Sequence, residues 1–225
     1  MERASAVIRG IAGATDRAIL FHSASGKDSI ALLDLMAPHF KEVVCVFMYV
    51  VPGMEHLGRY ISWSCRRYPC ARFVQVPHYS LCSYIRSGFF GCRRDPSQKR
   101  WTLESLTDEV RRRTGIGWAF YGFKQSDSMN RRLMLRGYRD AAVCDRTMKA
   151  YPLSTYRNSD VLRYIADRHL MAPERYGGER QSSGEDITDI HYLLWLRANW
   201  PGDLRRVYAA FPMAERLVFE HDSRK

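Results

Sequence analysis

The stretch Ser23-Ala24-Ser25-Gly26-Lys27-Asp28-Ser29 joins small hydroxyl residues, a glycine and a lysine. It follows the apolar run Ala-Ile-Leu-Phe-His at 18–22 and precedes Ile30, Leu32, Leu33, Leu35 and Met36. That order predicts a buried strand, a turn and the start of a helix. Backbone N–H groups at a helix start are unpaired, and the helix dipole makes that end positive, so the turn suits an anion. Gly26 lets backbone approach oxygen atoms closely. Lys27 adds a point charge, and Ser23, Ser25 and Ser29 add donors. Asp28 meets phosphate only through Mg²⁺, or else caps the helix. The common P-loop, G-x-x-x-x-G-K-[ST], is not met: Phe21 stands at its first glycine and Asp28 follows the lysine.

A second cluster runs from Gly122 through Lys124, Asp127 and Ser128 to Arg131. It too falls at a strand end and a helix start, placing Lys124 and Arg131 at the carboxyl edge of a sheet, where open α/β folds bind ligands.

The surrounding elements must hold these two clusters together. Strands are expected at 18–22, 43–51, 71–76 and 118–123, with a further short one near 145–151. Helices are expected at 28–36, 55–67, 103–114, 126–135, 158–169, 187–199 and 204–211. Thr102 and Gly115 supply start and stop signals for the helix between them. Residues 79–100 read as an inserted loop or short helices, and 172–186 as a mobile Gly- and Ser-rich loop. The alternation predicts an α/β fold: an open, mostly parallel sheet with helices on both faces, plus a helical C-terminal region. Residues 1–170 are expected as the nucleotide-binding domain, with 171–225 packed on it as a loop and helices.

The motifs resemble the PP-loop ATP pyrophosphatase superfamily. The loop is similar to S-G-G-K-D-S: Gly26, Lys27, Asp28 and Ser29 match, while Ala24 and Ser25 replace the first Ser and Gly. The second cluster resembles G-x-R-x-x-E-S-x-x-R, with Lys124 for Arg and Asp127 for Glu. Pro152-Leu153 through Asp160-Val161 to Tyr164-Ile165 resembles P-L-x-x-W-x-x-x-D-V-W-x-Y-I, with Tyr156 and Leu162 for the two Trp. The nearest branch is that of the phosphoadenosine phosphosulfate reductases. The resemblance implies an enzyme that binds ATP and Mg²⁺, cleaves ATP between its α and β phosphates, adenylylates an acceptor and releases pyrophosphate. It implies catalytic roles for Lys27, Lys124 and Arg131, with Ser23, Ser25, Gly26, Asp28, Ser29, Gly122, Asp127 and Ser128 around the nucleotide. The reductases of that branch carry a redox cysteine in a C-terminal E-C-G-x-H segment. No cysteine follows Cys144 here, so reduction by that route is not expected, although a sulfonucleotide enzyme stays an alternative.

The net charge of +11 implies an anionic partner: a nucleotide, a nucleic acid or another anionic substrate. A nucleic-acid-binding accessory protein is the alternative from another class, with Trp63, Tyr68 and Trp101 available for stacking. With 46% hydrophobic residues the chain can build a core, and no run of 18 apolar residues suggests a membrane span. The first residues lack the apolar run of a signal peptide, so a cytoplasmic protein is expected; a homodimer is open. Cys65, Cys70, Cys82 and Cys92 lie in one region. They are either ligands for zinc or an iron–sulfur cluster, or small core residues. His22 abuts the loop and reads as structural. His56 has no visible acid–base partner, though its neighbour Glu55 is a candidate to approach the nucleotide.

Overall fold

The computed structural model describes residues 1–174 and 186–224. Helix α1 spans Glu2–Ala12, and β1, Arg17–Phe21, follows. Then come α2 (Lys27–Met36), β2 (Glu42–Tyr49), α3 (Glu55–Arg67), β3 (Ala71–Pro77) and α4 (Tyr79–Ser87). After a 3-10 turn at Phe89–Gly91 come α5 (Leu103–Thr114), β4 (Ala119–Phe120) and α6 (Met129–Arg136). β5 (Val143–Cys144), β6 (Lys149–Ala150) and α7 (Asn158–Asp167) complete the central part. Helices α8 (Ile190–Asn199), α9 (Pro201–Ala210) and α10 (Met213–Asp222) end the chain. Among the described residues the strands form one sheet in the order β3-β2-β1-β4-β6-β5. β1 pairs in parallel with β2 and with β4, and β4 in parallel with β6. β5 runs antiparallel to β6.

This is an α/β fold with an open, mostly parallel sheet and a helical C-terminal region. Ala18, Ile19, Leu20 and Phe21 are all buried, as a strand covered on both faces requires. Every residue of α2 from Ser29 to Met36 is buried, so this helix lies inside the layers and not on their surface.

The chain divides into two compact units. The first comprises residues 1–47, 60–75 and 107–173, and the second residues 48–59, 76–106 and 174–225. In the first, α2 packs against α1 and α7. In the second, α8, α9 and α10 pack on one another, and α4 packs on the Phe89–Gly91 turn.

Several elements differ from expectation. The stretch 79–100 contains an ordered helix, α4, whose cap is His78: its Nδ1 accepts the Ser80 N–H at 3.1 Å. Histidine lies outside the usual capping set, which hid the start. Helices α1 and α10 were not expected. The strand at 118–123 shrinks to two paired residues, and the helix at 126–135 begins later, at Met129. Thr102 does cap α5, accepting the Ser105 N–H at 3.1 Å, and Gly115 ends it at φ 68°. Most of the stretch 172–186 lies outside the described residues.

Asp34 on α2 ties the first unit together. Its carboxylate, 4% exposed, accepts the hydroxyls of Tyr68 at 2.8 Å and Tyr164 at 2.6 Å, and Arg168 Nε at 3.1 Å. Burial opposes the charge, but these three donors outweigh it and hold the carboxyl below its usual range. Asp34→Ala leaves the hydroxyls without their acceptor and is expected to cost about 2–4 kcal/mol in denaturant unfolding. A change within about 0.5 kcal/mol would show that the hub is not structural.

Candidate functional site

The loop between β1 and α2 is built for close backbone approach. Gly26 sits at the helix N-cap position with φ −73° and ψ 125°, and no side chain caps the helix there. The first N–H groups of α2 are therefore available to an anion. A Cβ at Gly26 would lie 2.1 Å from Ser23 Oγ and would push that hydroxyl off Ser29. Ser23 and Ser29 staple the loop: the Ser23 N–H donates to Ser29 Oγ at 3.0 Å, and the two hydroxyls lie 3.0 Å apart. Ser25 is buried. Ala24 is buried at φ 48°, in the left-handed region that costs a non-glycine residue about 1–2 kcal/mol.

The second cluster meets the first at Asp28. A Cβ at Gly122 would stand 2.9 Å from Asp28 Cβ, so the glycine allows β4's exit to pass against α2. Lys124 is wholly buried, its Nζ 2.6 Å from Asp28 Oδ2 and 3.2 Å from Asp127 Oδ1. Lys27 Nζ lies 3.2 Å from the same Asp28 oxygen. Asp28 thus pairs with two ammonium groups and does not cap the helix. Asp127 also accepts the Lys124 N–H at 2.8 Å and Arg131 Nη1 at 2.8 Å. Burial opposes its charge, but the Lys124 N–H and ammonium, with Arg131, hold its carboxyl below the usual range. Ser128 caps α6, accepting the Arg131 N–H at 3.2 Å. The Arg131 guanidinium lies 3.9 Å from the Phe123 ring centre, a cation–π contact. Three cations face two carboxylates, leaving a net positive charge.

The third motif supports the second from below. The Gln125 N–H donates to the Ser154 carbonyl at 2.8 Å, and Ser126 Oγ to the Tyr156 carbonyl at 3.4 Å. Tyr164, from the same motif, reaches Asp34. Its role is structural.

The structure thus brings Ser23, Gly26, Lys27, Asp28, Ser29, Gly122, Lys124, Asp127, Ser128 and Arg131 into one connected cluster within the first unit. Around it, His22 Nδ1 and Nε2 and Asp28 Oδ1 are buried and have no hydrogen-bond partner among the described residues. Lys124 Nζ sits at ion-pair distance from its carboxylates but makes no well-aligned hydrogen bond. Buried polar atoms without a partner are rare in folded chains.

The metal site that was one of two readings of the cysteines finds no support among the described residues. Among the described residues no group of three or more His, Cys, Asp or Glu side chains could hold a metal ion. Cys65 is exposed; Cys70 Sγ donates to the Ala37 carbonyl, and Cys92 Sγ to that of Tyr84. Cys82 is buried. Cys65 lies on α3, Cys70 just before β3, Cys82 on α4 and Cys92 just after the Phe89–Gly91 turn.

The second unit holds a dyad that the sequence did not reveal. His56 Nδ1 lies 2.7 Å from Asp203 Oδ2, both side chains fully buried. Asp203 also accepts the N–H groups of Glu55 and His56 and Arg206 Nη1 at 2.8 to 2.9 Å. The residues are 147 apart in sequence. Glu55 itself pairs with Arg206 at 2.8 Å. This carboxylate pins the start of α3 to the start of α9, a structural task.

No family model and no curated protein matches the sequence. Solved structures do match. The NH3-dependent NAD synthetase of Campylobacter jejuni subsp. jejuni, in complex with the nitrate ion, is 12% identical with a TM-score of 0.51, over 97% of this chain and 91% of that one. At that identity the likeness is one of α/β fold alone. The U34-tRNA thiolase NcsA from Methanococcus maripaludis, with its 4Fe-4S cluster, is 12% identical with a TM-score of 0.49, over 96% of this chain and 78% of that one. No helix among the described residues is long and apolar enough to cross a membrane.

Burial pushes the His22 imidazole down to about 3 from 6.5. The unfolded chain therefore takes up a proton below about pH 6.5 that the folded chain refuses, and stability falls as pH drops toward 3. From pH 7 to pH 5 this one ring is expected to remove roughly 2 kcal/mol. Denaturant unfolding of wild type and His22→Phe at both pH values checks it: the variant loses that share, and equal pH slopes would contradict the assignment.

Proposed function

We propose that the chain is a PP-loop nucleotide enzyme that binds ATP at the β1–α2 loop and cleaves it between the α and β phosphates. The observation that supports this most is the junction of the two motifs at Asp28. The Gly122 approach and the Lys124 ammonium bring a second cationic element onto an uncapped helix start. Lys27 and the N–H groups of α2 would hold the β and γ phosphates, which leave as pyrophosphate. Ser25, buried beside Gly26, would supply a further hydroxyl. Lys124 and Arg131 would neutralise charge developing on the α phosphate. An acceptor oxygen would attack that phosphorus; the bond to the bridging oxygen would break, its electron pair leaving with pyrophosphate and the acceptor's proton passing to solvent.

The donors present fit Mg²⁺. Asp28 Oδ1 is a buried carboxylate oxygen without a hydrogen-bond partner, and Asp127 stands beside it on Lys124. Bound there, the ion would neutralise phosphate charge. Lys124 would then exchange its Asp28 contact for phosphate oxygens. The surplus positive charge of the chain favours an anionic acceptor, with nucleic acid in that class.

Calorimetric titration with MgATP tests this reading. Wild type is expected to bind, and Lys27→Ala to weaken binding by about tenfold or more while unfolding at an unchanged denaturant midpoint. Absence of binding at millimolar MgATP would sink the proposal.

A further inference from the structure

The orphan atoms around the loop are of two kinds. Asp28 Oδ1 and Lys124 Nζ belong to charged groups and suit the ionic half of a ligand. The two ring nitrogens of His22 do not. Burial keeps this imidazole neutral at every physiological pH. A neutral imidazole carries one N–H donor and one acceptor nitrogen. Both are left without a partner among the described residues, and folded chains rarely tolerate that unless a partner is missing.

Its position is informative. His22 directly follows β1, and its N–H donates to the Val46 carbonyl at 2.9 Å, extending the β1–β2 ladder by one residue. The ring therefore sits at the carboxyl edge of the sheet, beside Ser23. Phe21 stacks on Tyr121 with ring centres 4.9 Å apart. Strand alternation sends His22 to the opposite face, where Phe73 of β3 meets it edge-on at 5.1 Å and 71°. Phe73 itself is only half-buried. The pair is thus a buried polar ring in edge-on contact with a partly exposed aromatic one, next to the phosphate loop in sequence. Phosphate is poorly served by an uncharged ring when Lys27 and Lys124 stand nearby. An uncharged, planar group with a donor and acceptor edge is well served by both.

We propose that His22 and Phe73 form the nucleobase subsite of the nucleotide held at the loop, a reading that rests on the function proposed above. Phe73 swings aside and stacks on the base, and a His22 ring nitrogen takes a hydrogen bond from, or gives one to, the base's polar edge. Lys27 and Lys124 hold the other end of the same molecule.

The test compares two ligands, MgATP and magnesium tripolyphosphate, which share the anionic half and differ in the nucleoside. Calorimetric titration is run on wild type and His22→Phe, which keeps an aromatic ring against Phe73. The variant is expected to bind MgATP about tenfold more weakly. Its tripolyphosphate affinity is expected to stay within about twofold of wild type. Equal losses for both ligands, or no loss for either, overturn the subsite. Should the variant fail to fold, wild type labelled with ¹⁵N-histidine answers the same question. A buried neutral imidazole is expected to shift on MgATP and stay fixed on tripolyphosphate, and an imidazole unmoved by MgATP overturns the proposal. Wild type binding neither ligand removes the nucleotide reading and the subsite together. Wild type binding both, with His22→Phe indifferent, removes the subsite alone.

Discussion

A lysine ammonium taken wholly out of water costs several kcal/mol unless carboxylates receive it. Lys124 is such a group, and Asp28 and Asp127 are its two carboxylates. The remaining geometry follows from that requirement. Asp28 must stand at the start of α2, so the second motif must pass directly against the loop, and Gly122 is the residue that lets it. Asp127 must turn back on Lys124, and the same turn delivers Ser128 as the α6 cap and Arg131 onto Phe123. One buried charge therefore fixes the relative position of every cation at the site.

Helix α2 carries this arrangement at both of its ends. Its first turn offers free N–H groups and Asp28; its third turn offers Asp34 to Tyr68, Tyr164 and Arg168. The third motif has its place in this scheme. Its helix clamps Asp34, and its preceding turn holds Gln125 and Ser126. Binding chemistry at one end of α2 and packing at the other are parts of one scaffold, entered through Ala24 at φ 48°.

Much of this was legible in the sequence, because local signals carried it. A strand, a Gly-Lys turn and an apolar helix announced the loop, and Thr102 and Gly115 bounded α5 as their chemistry requires. What could not be read were pairings between distant residues. Asp28 with Lys124, Asp34 with Tyr164, and His56 with Asp203 are tertiary facts that no spacing encodes. Short elements failed for a related reason. β4, β5 and β6 hold two paired residues each, too few for a periodic pattern, and their assignment comes from neighbours in the sheet. Helix α1 does carry its pattern, with Ala4, Ile8 and Ile11 buried along it.

The claim that Asp28 and Lys124 act as one unit is open to a direct measurement. A double-mutant cycle with Asp28→Asn, Lys124→Met and the pair, read by denaturant unfolding at pH 7, isolates their coupling. Shared burial and a 2.6 Å separation predict a coupling of about 1–3 kcal/mol, with the double variant more stable than the sum of the single losses implies. Additive losses, with coupling below about 0.3 kcal/mol, would show that the two motifs are held together by something else.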